Sequence, residues 1–168
     1  MNTRIYSIEL IGSGSLSVMD KPVAGEWLDE SMAAIAQSGI SQIVSLLERS
    51  ESWELELDKE AELAKRHGMA FVSYPIPDRG LPASMTDYLA LTKRLYHHAA
   101  GGEHIAVHCR AGIGRTGMVA AGVLLHCGFE PDEALEHISL KRGVTVPDTD
   151  EQIEWLRTCS TTWSGCSY

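Results

Sequence analysis

The sequence predicts an α/β fold in which a central, mostly parallel sheet is flanked by helices. Predicted strands and helices alternate along the chain, a pattern that favours a sheet packed between helices. Hydrophobic residues make up 44% of the 168 residues, which is enough to build the core of one domain. Neither an internal repeat nor a low-complexity linker interrupts the pattern. We therefore expect a single domain over residues 1–168.

The first half of the chain is predicted to hold three strands and two helices. The strands are apolar or alternating segments at residues 5–10, 40–47 and 69–74. The helices each end at a glycine and span about 30–38, before Gly39, and about 58–67, before Gly68. Residues 12–15, Gly-Ser-Gly-Ser, predict a turn. The prolines within residues 75–82 predict a loop, because proline cannot donate to a sheet ladder.

The second half is predicted to hold one further strand and four helices. The strand covers residues 104–108 and is apolar at its centre. Ser84 and Asp87 provide an N-cap and an acidic first turn for the helix that follows the loop. The predicted helices span about 84–100, 115–127, 131–141 and 149–158. Residues 160–168 are expected to form a flexible tail.

The charge of the chain argues against several classes of partner. The formal net charge is −9, whereas a protein that binds nucleic acid is usually basic. No segment approaches the roughly 20 apolar residues of a membrane-spanning helix. Residues 1–10 lack the basic start and the apolar run of a signal peptide. We expect no nucleic-acid partner, no membrane association and a cytoplasmic location, while the oligomeric state stays open.

The four cysteines do not have the pattern of a metal site or of a disulfide scaffold. Cys109, Cys127, Cys159 and Cys166 lack the paired C-x-x-C spacing of structural zinc sites. Four cysteines in a chain of this length are too few for a disulfide-built fold. Cys159 and Cys166 could pair under oxidation, but we expect reduced thiols, no metal and no cofactor.

The most informative segment joins the strand at 104–108 to the helix that follows it. Its sequence is His108-Cys109-Arg110-Ala111-Gly112-Ile113-Gly114-Arg115-Thr116-Gly117. A loop between a strand and a helix points several backbone N–H groups into one concavity, and the positive end of the helix dipole points there too. Gly112 and Gly114 allow positive φ and a close approach of backbone to a ligand. The segment therefore predicts a cradle for one phosphate.

The side chains of this loop suit nucleophilic chemistry on the bound phosphate. Cys109 lies at the bottom of the cradle, where a helix N-terminus and a guanidinium favour the thiolate. Arg115 presents a planar fork that matches two phosphate oxygens. The hydroxyl of Thr116 is placed to donate to the sulfur as it departs. A cysteine after a strand is more often a small core residue, but a cysteine and Arg-Thr at this spacing between strand and helix indicate catalysis.

Residues 108–117 resemble the signature of the protein tyrosine phosphatase superfamily, and the resemblance extends over about residues 39–156. The compact chain is most similar to the dual-specificity phosphatases, particularly the kinase-associated phosphatases. The resemblance implies their fold and the hydrolysis of phosphotyrosine, with phosphoserine and phosphothreonine as further candidates, in a protein or peptide. It implies a phosphocysteine intermediate at Cys109 without a metal. The phosphate would be bound by Arg115 and by the loop from Arg110 through Ala111, Gly112, Ile113 and Gly114.

The resemblance also implies a general acid on an upstream loop, where this chain has Asp78. A tyrosine leaving group has a pKa of about 10, so a proton helps its departure at neutral pH. The same carboxylate would then accept a proton from the hydrolytic water. Pro-Asp-x-Gly is also a common turn sequence, so Asp78 by itself would not indicate catalysis. Large tyrosine phosphatases usually have tryptophan where Ile76 stands, which leaves the motion of this loop open.

Two more residues receive supporting roles. Some family members use a glutamine near the position of Gln152 to orient the hydrolytic water. Thr149-x-x-Gln152 is also a capping box at the start of the last helix, and both interpretations stay open. His108 precedes the nucleophile and is expected to hydrogen-bond the backbone of the loop.

Other functions are compatible with the same signature. Phosphoinositide phosphatases often carry lysines within the loop, whereas this loop adds only Arg110. A non-catalytic module that binds phosphopeptides typically lacks the nucleophile, which is present here as Cys109. An RNA 5′-phosphatase and a sulfur-transfer or arsenate-reducing protein are minor alternatives. These comparisons favour a phosphoprotein phosphatase.

Overall fold

The computed structural model describes the backbone of residues 3–165 and the side chains of residues 3–160. The strands of this part are β1 (Ile5–Ile11), β2 (Gly14–Met19), β3 (Gln42–Ser45), β4 (Ala70–Ser73) and β5 (His104–His108). Its α-helices are α1 (Leu28–Gln37), α2 (Arg49–Glu54), α3 (Glu60–Arg66), α4 (Met85–Ala100), α5 (Gly114–His126), α6 (Pro131–Arg142) and α7 (Asp150–Gly165). A short 3₁₀ helix, Gly25–Trp27, precedes α1.

The strands form one sheet with the order β1-β2-β5-β3-β4. β1 and β2 are antiparallel neighbours, whereas β2, β5, β3 and β4 are parallel to one another. The predicted α/β fold with a mostly parallel sheet is therefore confirmed. β5 lies in the middle of the sheet, so the loop that follows it emerges between the ends of its neighbours.

One observed strand and one observed α-helix are absent from the sequence prediction, and one predicted helix is longer. The predicted turn at 12–15 is wrong in its second half, because β2 begins at Gly14. All of its residues are buried, so β2 lacks the alternation that marks a half-exposed strand. α2 has six residues, too few to show a helical period. α7 continues to Gly165, past the predicted end near 158, so the predicted tail is helical up to that point. The rest of the tail, 166–168, lies outside the described residues.

Alternate residues of the central strands face opposite sides of the sheet and build two cores. On one side Val44, Ile105 and Val107 pack with apolar residues of α4, α5 and α6. On the other side Ile43 and Ala106 pack with apolar residues of α1 and α3. This period of two is the geometry of a strand that is buried on both faces. The two cores hold β5 rigidly, and with it the first residue of the loop.

α5 is the helix that the rest of the fold encloses. Its residues from Gly114 to Leu125 are all buried. α4 approaches it closely at Gly122, where the hydroxyl of Tyr88 donates to the carbonyl oxygen of Met118 at 2.6 Å. A Cβ atom at Gly122 would lie 2.7 Å from Cζ of Tyr88 and 2.6 Å from the methyl carbon of Thr92. A glycine is therefore needed for α4 and α5 to pack at this distance.

We predict that Gly122→Ala lowers the free energy of unfolding by about 1–2 kcal/mol, measured by urea denaturation. Alanine favours a helix by up to about 1 kcal/mol, but overpacking a filled core costs about 1–3 kcal/mol. Gly101→Ala is the matched control, since Gly101 has φ −84° and its added Cβ would lie 3.4 Å from the carbonyl oxygen of His97. The control should stay within about 0.5 kcal/mol of the wild type. A Gly122→Ala protein as stable as the wild type would contradict the packing argument.

Candidate active site

The loop from Cys109 to Ile113 connects β5 to α5, as the sequence predicts. Cys109, the first residue of the loop, is 3% exposed and belongs to the same buried cluster as Val107 and Ile76. Gly112 has the expected positive φ, +70°, and a Cβ there would lie 2.7 Å from the carbonyl oxygen of Met19. Gly114 begins α5 without a positive φ. The exposed carboxylate of Asp148 packs against it instead, with Cγ 2.9 Å from the position of an added Cβ.

The guanidinium of Arg115 joins the start of α5 to two other segments. Its two terminal nitrogens donate to the two carboxylate oxygens of Glu51, at 2.7 and 3.0 Å. Nη1 also donates to the carbonyl oxygen of Ile76 at 2.8 Å, and Nη2 donates to Asp78 at 3.2 Å. The side chain is 2% exposed. This bidentate pairing is the geometry in which arginine best satisfies a carboxylate.

The charges around Arg115 act on its pKa and on that of Glu51. Burial opposes the guanidinium charge, but the hydrogen bond with Glu51 and the charges of Cys109, Glu51 and Asp78 raise the pKa of Arg115. Burial likewise opposes the carboxylate of Glu51, but Arg115 lowers the pKa of Glu51, with help from the backbone of Glu48 and from Arg110. Both groups are therefore charged at neutral pH. The charge of Cys109 acts on Arg115 because the two residues lie at opposite ends of the loop that joins β5 to α5.

Glu51 is a site residue that the sequence analysis missed. It lies on the unpredicted helix α2, as the N3 residue of a capping box with Glu48. The same carboxylate approaches Arg110, whose Nε lies 3.7 Å from Oε2 of Glu51. Arg110 also lies 3.8 Å from the carboxylate of Glu54 and is 46% exposed. The available signal was Glu48-x-x-Glu51 at the start of the short helix α2. This pattern indicates a capping box as readily as it indicates an active-site carboxylate.

Asp78 lies at the mouth of the site with its side chain 55% exposed. It belongs to a tight turn in which the N–H of Gly80 donates to the carbonyl oxygen of Pro77 at 2.8 Å. The turn is anchored on one side by the fully buried Ile76, whose N–H donates to Leu46 at 3.0 Å. The structure therefore brings Asp78 to Arg115, while leaving its carboxylate accessible from solvent.

Gln152 anchors the other side of the same turn. Its Oε1 accepts from the N–H groups of Asp148 and Thr149, at 3.0 and 3.2 Å, and its own N–H donates to Thr149 Oγ1 at 3.1 Å. These bonds are the predicted capping box of α7. Nε2 of Gln152 donates to the carbonyl oxygen of Gly80 at 3.1 Å. Gln152 thus holds the Asp78 turn, and its role towards a hydrolytic water stays a prediction.

The predicted hydrogen bond from Thr116 to the sulfur is not formed in this structure. The hydroxyl of Thr116 is buried and, among the described residues, has no hydrogen-bond partner. A buried hydroxyl without a partner is unusual and calls for an explanation. The expected contact of His108 is present, since Nδ1 lies 3.0 Å from the carbonyl oxygen of Cys109. The second ring nitrogen of His108 lies 2.5 Å from Glu60, a buried residue that the sequence analysis also missed.

Arg142, at the end of α6, holds the loop of residues 109–113, the predicted phosphate loop, from outside. It donates to the carbonyl oxygens of Ala111 at 3.1 Å and Gly112 at 3.3 Å, and it pairs with Asp20 at 3.1 Å. Because a trans peptide points its C=O and N–H in opposite directions, the N–H groups of Gly112 and Ile113 point away from Arg142. A basic residue in the last turn of a helix is common, so nothing in the sequence singled out Arg142.

Two searches of the described residues bear on cofactors and membranes. Within residues 3–160 no three His, Cys, Asp or Glu side chains are grouped so that they could hold a metal ion. No helix of the described chain combines the length and the apolar character needed to cross a bilayer.

Comparison with known proteins identifies relatives of this arrangement. The profile of the family Tc-R-P, described as a polymorphic toxin system DSP-PTPase phosphatase, matches residues 17–129. Protein tyrosine phosphatase type IVA 3 of Homo sapiens is 32% identical over 94 residues, which are 55% of this chain and 53% of that protein. The chain thus spans about half the length of this curated relative.

Solved structures agree over nearly the whole chain. Kinase-associated phosphatase, with its catalytic-site cysteine substituted by serine, has a TM-score of 0.89 at 19% identity and matches 99% of both chains. PTPMT1 in complex with PI(5)P has a TM-score of 0.75 at 16% identity and matches 96% of this chain and 97% of the other. At these identities the likenesses show the fold. They confirm the expected similarity to kinase-associated phosphatases.

We predict that Glu51→Gln weakens the dependence of stability on acidic pH. The pKa of Glu51 is lower in the folded protein than the value near 4.5 expected of an unpaired glutamate. Its stabilising contribution is therefore present above that value and is lost as the pH falls through the lower folded value. The wild type should lose free energy of unfolding more steeply between about pH 6 and pH 3 than Glu51→Gln does, measured by urea denaturation at each pH.

Glu54→Gln is the control for this experiment, because Glu54 lies on the same helix but is 71% exposed. Its slope with pH should follow that of the wild type. Parallel pH curves for Glu51→Gln and the wild type would show that the Arg115–Glu51 pair is not maintained in solution.

Proposed function

The chain belongs to the polymorphic toxin system DSP-PTPase phosphatase family, and from this premise we propose that it hydrolyses phosphotyrosine in proteins through a phosphocysteine intermediate at Cys109. As a member of the family it is a phosphatase of the protein tyrosine and dual-specificity type. Phosphoserine and phosphothreonine in proteins or peptides are further candidate substrates. The observation that carries the proposal is that the buried thiol of Cys109 lies close enough to the buried guanidinium of Arg115 for its charge to raise the pKa of Arg115.

The first chemical step is an attack by the thiolate of Cys109 on phosphorus, in line with the leaving oxygen. The S–P bond forms, the P–O bond to the substrate breaks, and Asp78 gives its proton to the departing oxygen. Arg115 and the amides of residues 110–115 bind the remaining phosphate oxygens and stabilise their charge in the transition state. The positive charge of these groups stabilises the transition state, as a bound metal ion does in other phosphatases.

The second step hydrolyses the phosphocysteine. Water attacks phosphorus, Asp78 accepts a proton from it, the S–P bond breaks and Cys109 returns as a thiolate. The hydroxyl of Thr116 is buried and has no hydrogen-bond partner within residues 3–160, which supports its proposed role as the donor to the departing sulfur. Gln152 holds the Asp78 turn through Gly80 and so keeps the carboxylate over the site in both steps.

The contact between Asp78 and Arg115 supports a mechanism in which binding of the substrate phosphate frees Asp78 to act as the general acid. Nη2 of Arg115 donates to Asp78 at 3.2 Å in the structure, while the stronger contacts of the guanidinium go to Glu51 and Ile76. A phosphate dianion competes with Asp78 for Nη2. Its arrival releases the carboxylate, which is exposed, takes up a proton from solvent and turns to the leaving oxygen as the acid. The bonds to Glu51 and Ile76 keep the guanidinium oriented during the exchange.

The charge of the loop favours phosphoprotein over phosphoinositide as the substrate class. Arg110 is the one basic side chain that the loop adds to Arg115, and it lies near the carboxylates of Glu51 and Glu54. A second phosphate would meet these carboxylates and be repelled. We therefore expect a phosphotyrosine peptide to be hydrolysed faster than a soluble phosphatidylinositol phosphate. A faster rate on the lipid would transfer the assignment to the phosphoinositide class.

We predict that Cys109→Ser abolishes hydrolysis of para-nitrophenyl phosphate and of a phosphotyrosine peptide. Removal of an enzyme nucleophile typically lowers kcat by about 10⁴-fold or more. Cys127→Ser is the control, because Cys127 lies at the far end of α5 and its thiol contacts the carbonyl oxygen of Val123. It should leave the rate unchanged. A wild-type chain that binds the peptide without turnover would instead establish a phosphopeptide-binding module.

We predict that Asp78→Asn slows the enzyme in proportion to the basicity of the leaving group. An asparagine cannot give a proton, so the rate on phosphotyrosine should fall by about 10²–10⁴-fold. An aryl phosphate whose leaving group departs without protonation should lose much less. Asp58→Asn, at an exposed position before α3, is the control and should behave as the wild type. An equal loss on both substrates would remove the general-acid role from Asp78.

A further inference from the structure

A second buried carboxylate lies behind the phosphate loop. His108 is fully buried, and Glu60, the first residue of α3, is 2% exposed. Nε2 of His108 lies 2.5 Å from Oε1 of Glu60, and Nδ1 lies 3.0 Å from the carbonyl oxygen of Cys109. The imidazole ring therefore connects α3 to the backbone of the nucleophile.

The partners of the ring limit where its protons can be. A carbonyl oxygen can only accept a hydrogen bond, so Nδ1 of His108 must carry a proton to reach Cys109. An ionised carboxylate is also only an acceptor, so Nε2 must carry a proton to reach Glu60. A neutral imidazole has a proton on one nitrogen and cannot satisfy both contacts. With Glu60 ionised, the geometry therefore requires an imidazolium opposite a carboxylate.

We propose that Glu60 is a positioning residue of the phosphatase site, whose buried carboxylate keeps both nitrogens of His108 protonated and so places a positive charge directly behind Cys109. The inference rests on the proposed function, in which Cys109 reacts as a thiolate. Glu60 touches neither substrate nor sulfur, and it acts through His108. The signature of residues 108–117 contains the histidine but does not reach Glu60, which comes 48 residues earlier than His108.

The electrostatics of the buried groups support the proposal. Burial disfavours a charged ring, but the carboxylate of Glu60, its hydrogen bond and the backbone of Cys109 raise the pKa of His108 above its usual value. The charged groups that face this region are Glu60 from α3 and Arg115 from α5, with Glu51 and Asp78 on the far side of Arg115. The imidazolium and the guanidinium therefore approach the thiolate from different elements.

The substitution Glu60→Gln separates charge from shape. Glutamine has nearly the size of glutamate and its amide can donate to Nε2, so the ring can keep both hydrogen bonds while becoming neutral. We expect alkylation of Cys109 by iodoacetamide to show a pH midpoint about one unit higher than in the wild type, because an opposite charge nearby shifts such equilibria by about 1–3 units. At a pH below both midpoints kcat/KM on para-nitrophenyl phosphate should fall about tenfold, with KM nearly unchanged.

Two further variants and one spectroscopic measurement complete the test. Glu62→Gln removes an equal charge from an exposed position on the same helix and should leave the alkylation midpoint unchanged. Glu60→Asp keeps the charge, so its midpoint should lie between those of Glu60→Gln and the wild type. Nitrogen-15 NMR of the wild-type ring should show both nitrogens of His108 protonated at about pH 7. This readout needs neither turnover nor a folded variant.

The outcomes separate this inference from the proposed function. A neutral His108 in the wild type, or equal alkylation midpoints for Glu60→Gln and Glu62→Gln, would overturn the role of Glu60 even in an active phosphatase. Conversely, a chain without phosphatase activity could still show the imidazolium and the shifted midpoint, in which case the proposed function fails and the positioning of Cys109 by Glu60 stands.

Discussion

The structure depends above all on keeping the full positive charge of Arg115 inside the protein, close to the C-terminal end of β5. A buried guanidinium is strongly destabilising unless its charge and its donors are matched, and Glu51 matches both through a bidentate pair. The short helix α2 presents this carboxylate, and the buried backbone at Ile76 supplies a further acceptor. Arg115 is thereby held in one orientation before any phosphate arrives. Preorganisation of this kind is what electrostatic catalysis requires, because the charge need not be rearranged during the reaction.

A second buried pair of a cationic group and a carboxylate lies on the other side of Cys109. His108 is fully buried, and its carboxylate partner Glu60 is 2% exposed, as Arg115 is. Two cationic groups therefore face the region of Cys109, each neutralised on its outer side by a buried carboxylate. Net burial of charge is small, yet the positive ends of both pairs point towards Cys109, where the proposed function places the phosphate. Under the proposed function, this arrangement explains how a chain with a net charge of −9 can bind a phosphate dianion.

Residues distant in sequence fix the loops that carry the chemistry. Arg142 holds the carbonyl oxygens of the phosphate loop, and Gln152 holds the Asp78 turn through Gly80. Both come from the segment after α5, beyond residues 17–129 that match the family profile. The C-terminal helices are thus part of the site's support as well as of the core. A single side chain, Gln152, caps α7 and restrains the turn that bears Asp78, so the cap and the turn cannot vary independently.

The sequence by itself determined the order of the main elements, the phosphate loop and the loop of Asp78, because each has a local signal. These signals are apolar strands, glycines that end helices, and the spacing from Cys109 to Arg115. Each can be recognised from residues no more than about a dozen positions apart. The sequence did not reveal β2, which is buried on both faces, or α2, which is too short for a period. Only the tertiary structure decided that Glu51, Glu60 and Arg142 join the site. Their partners lie on other elements, and glutamate or arginine at a helix end is ordinarily a solvated residue, so their roles arise when the chain folds and the charges are buried together.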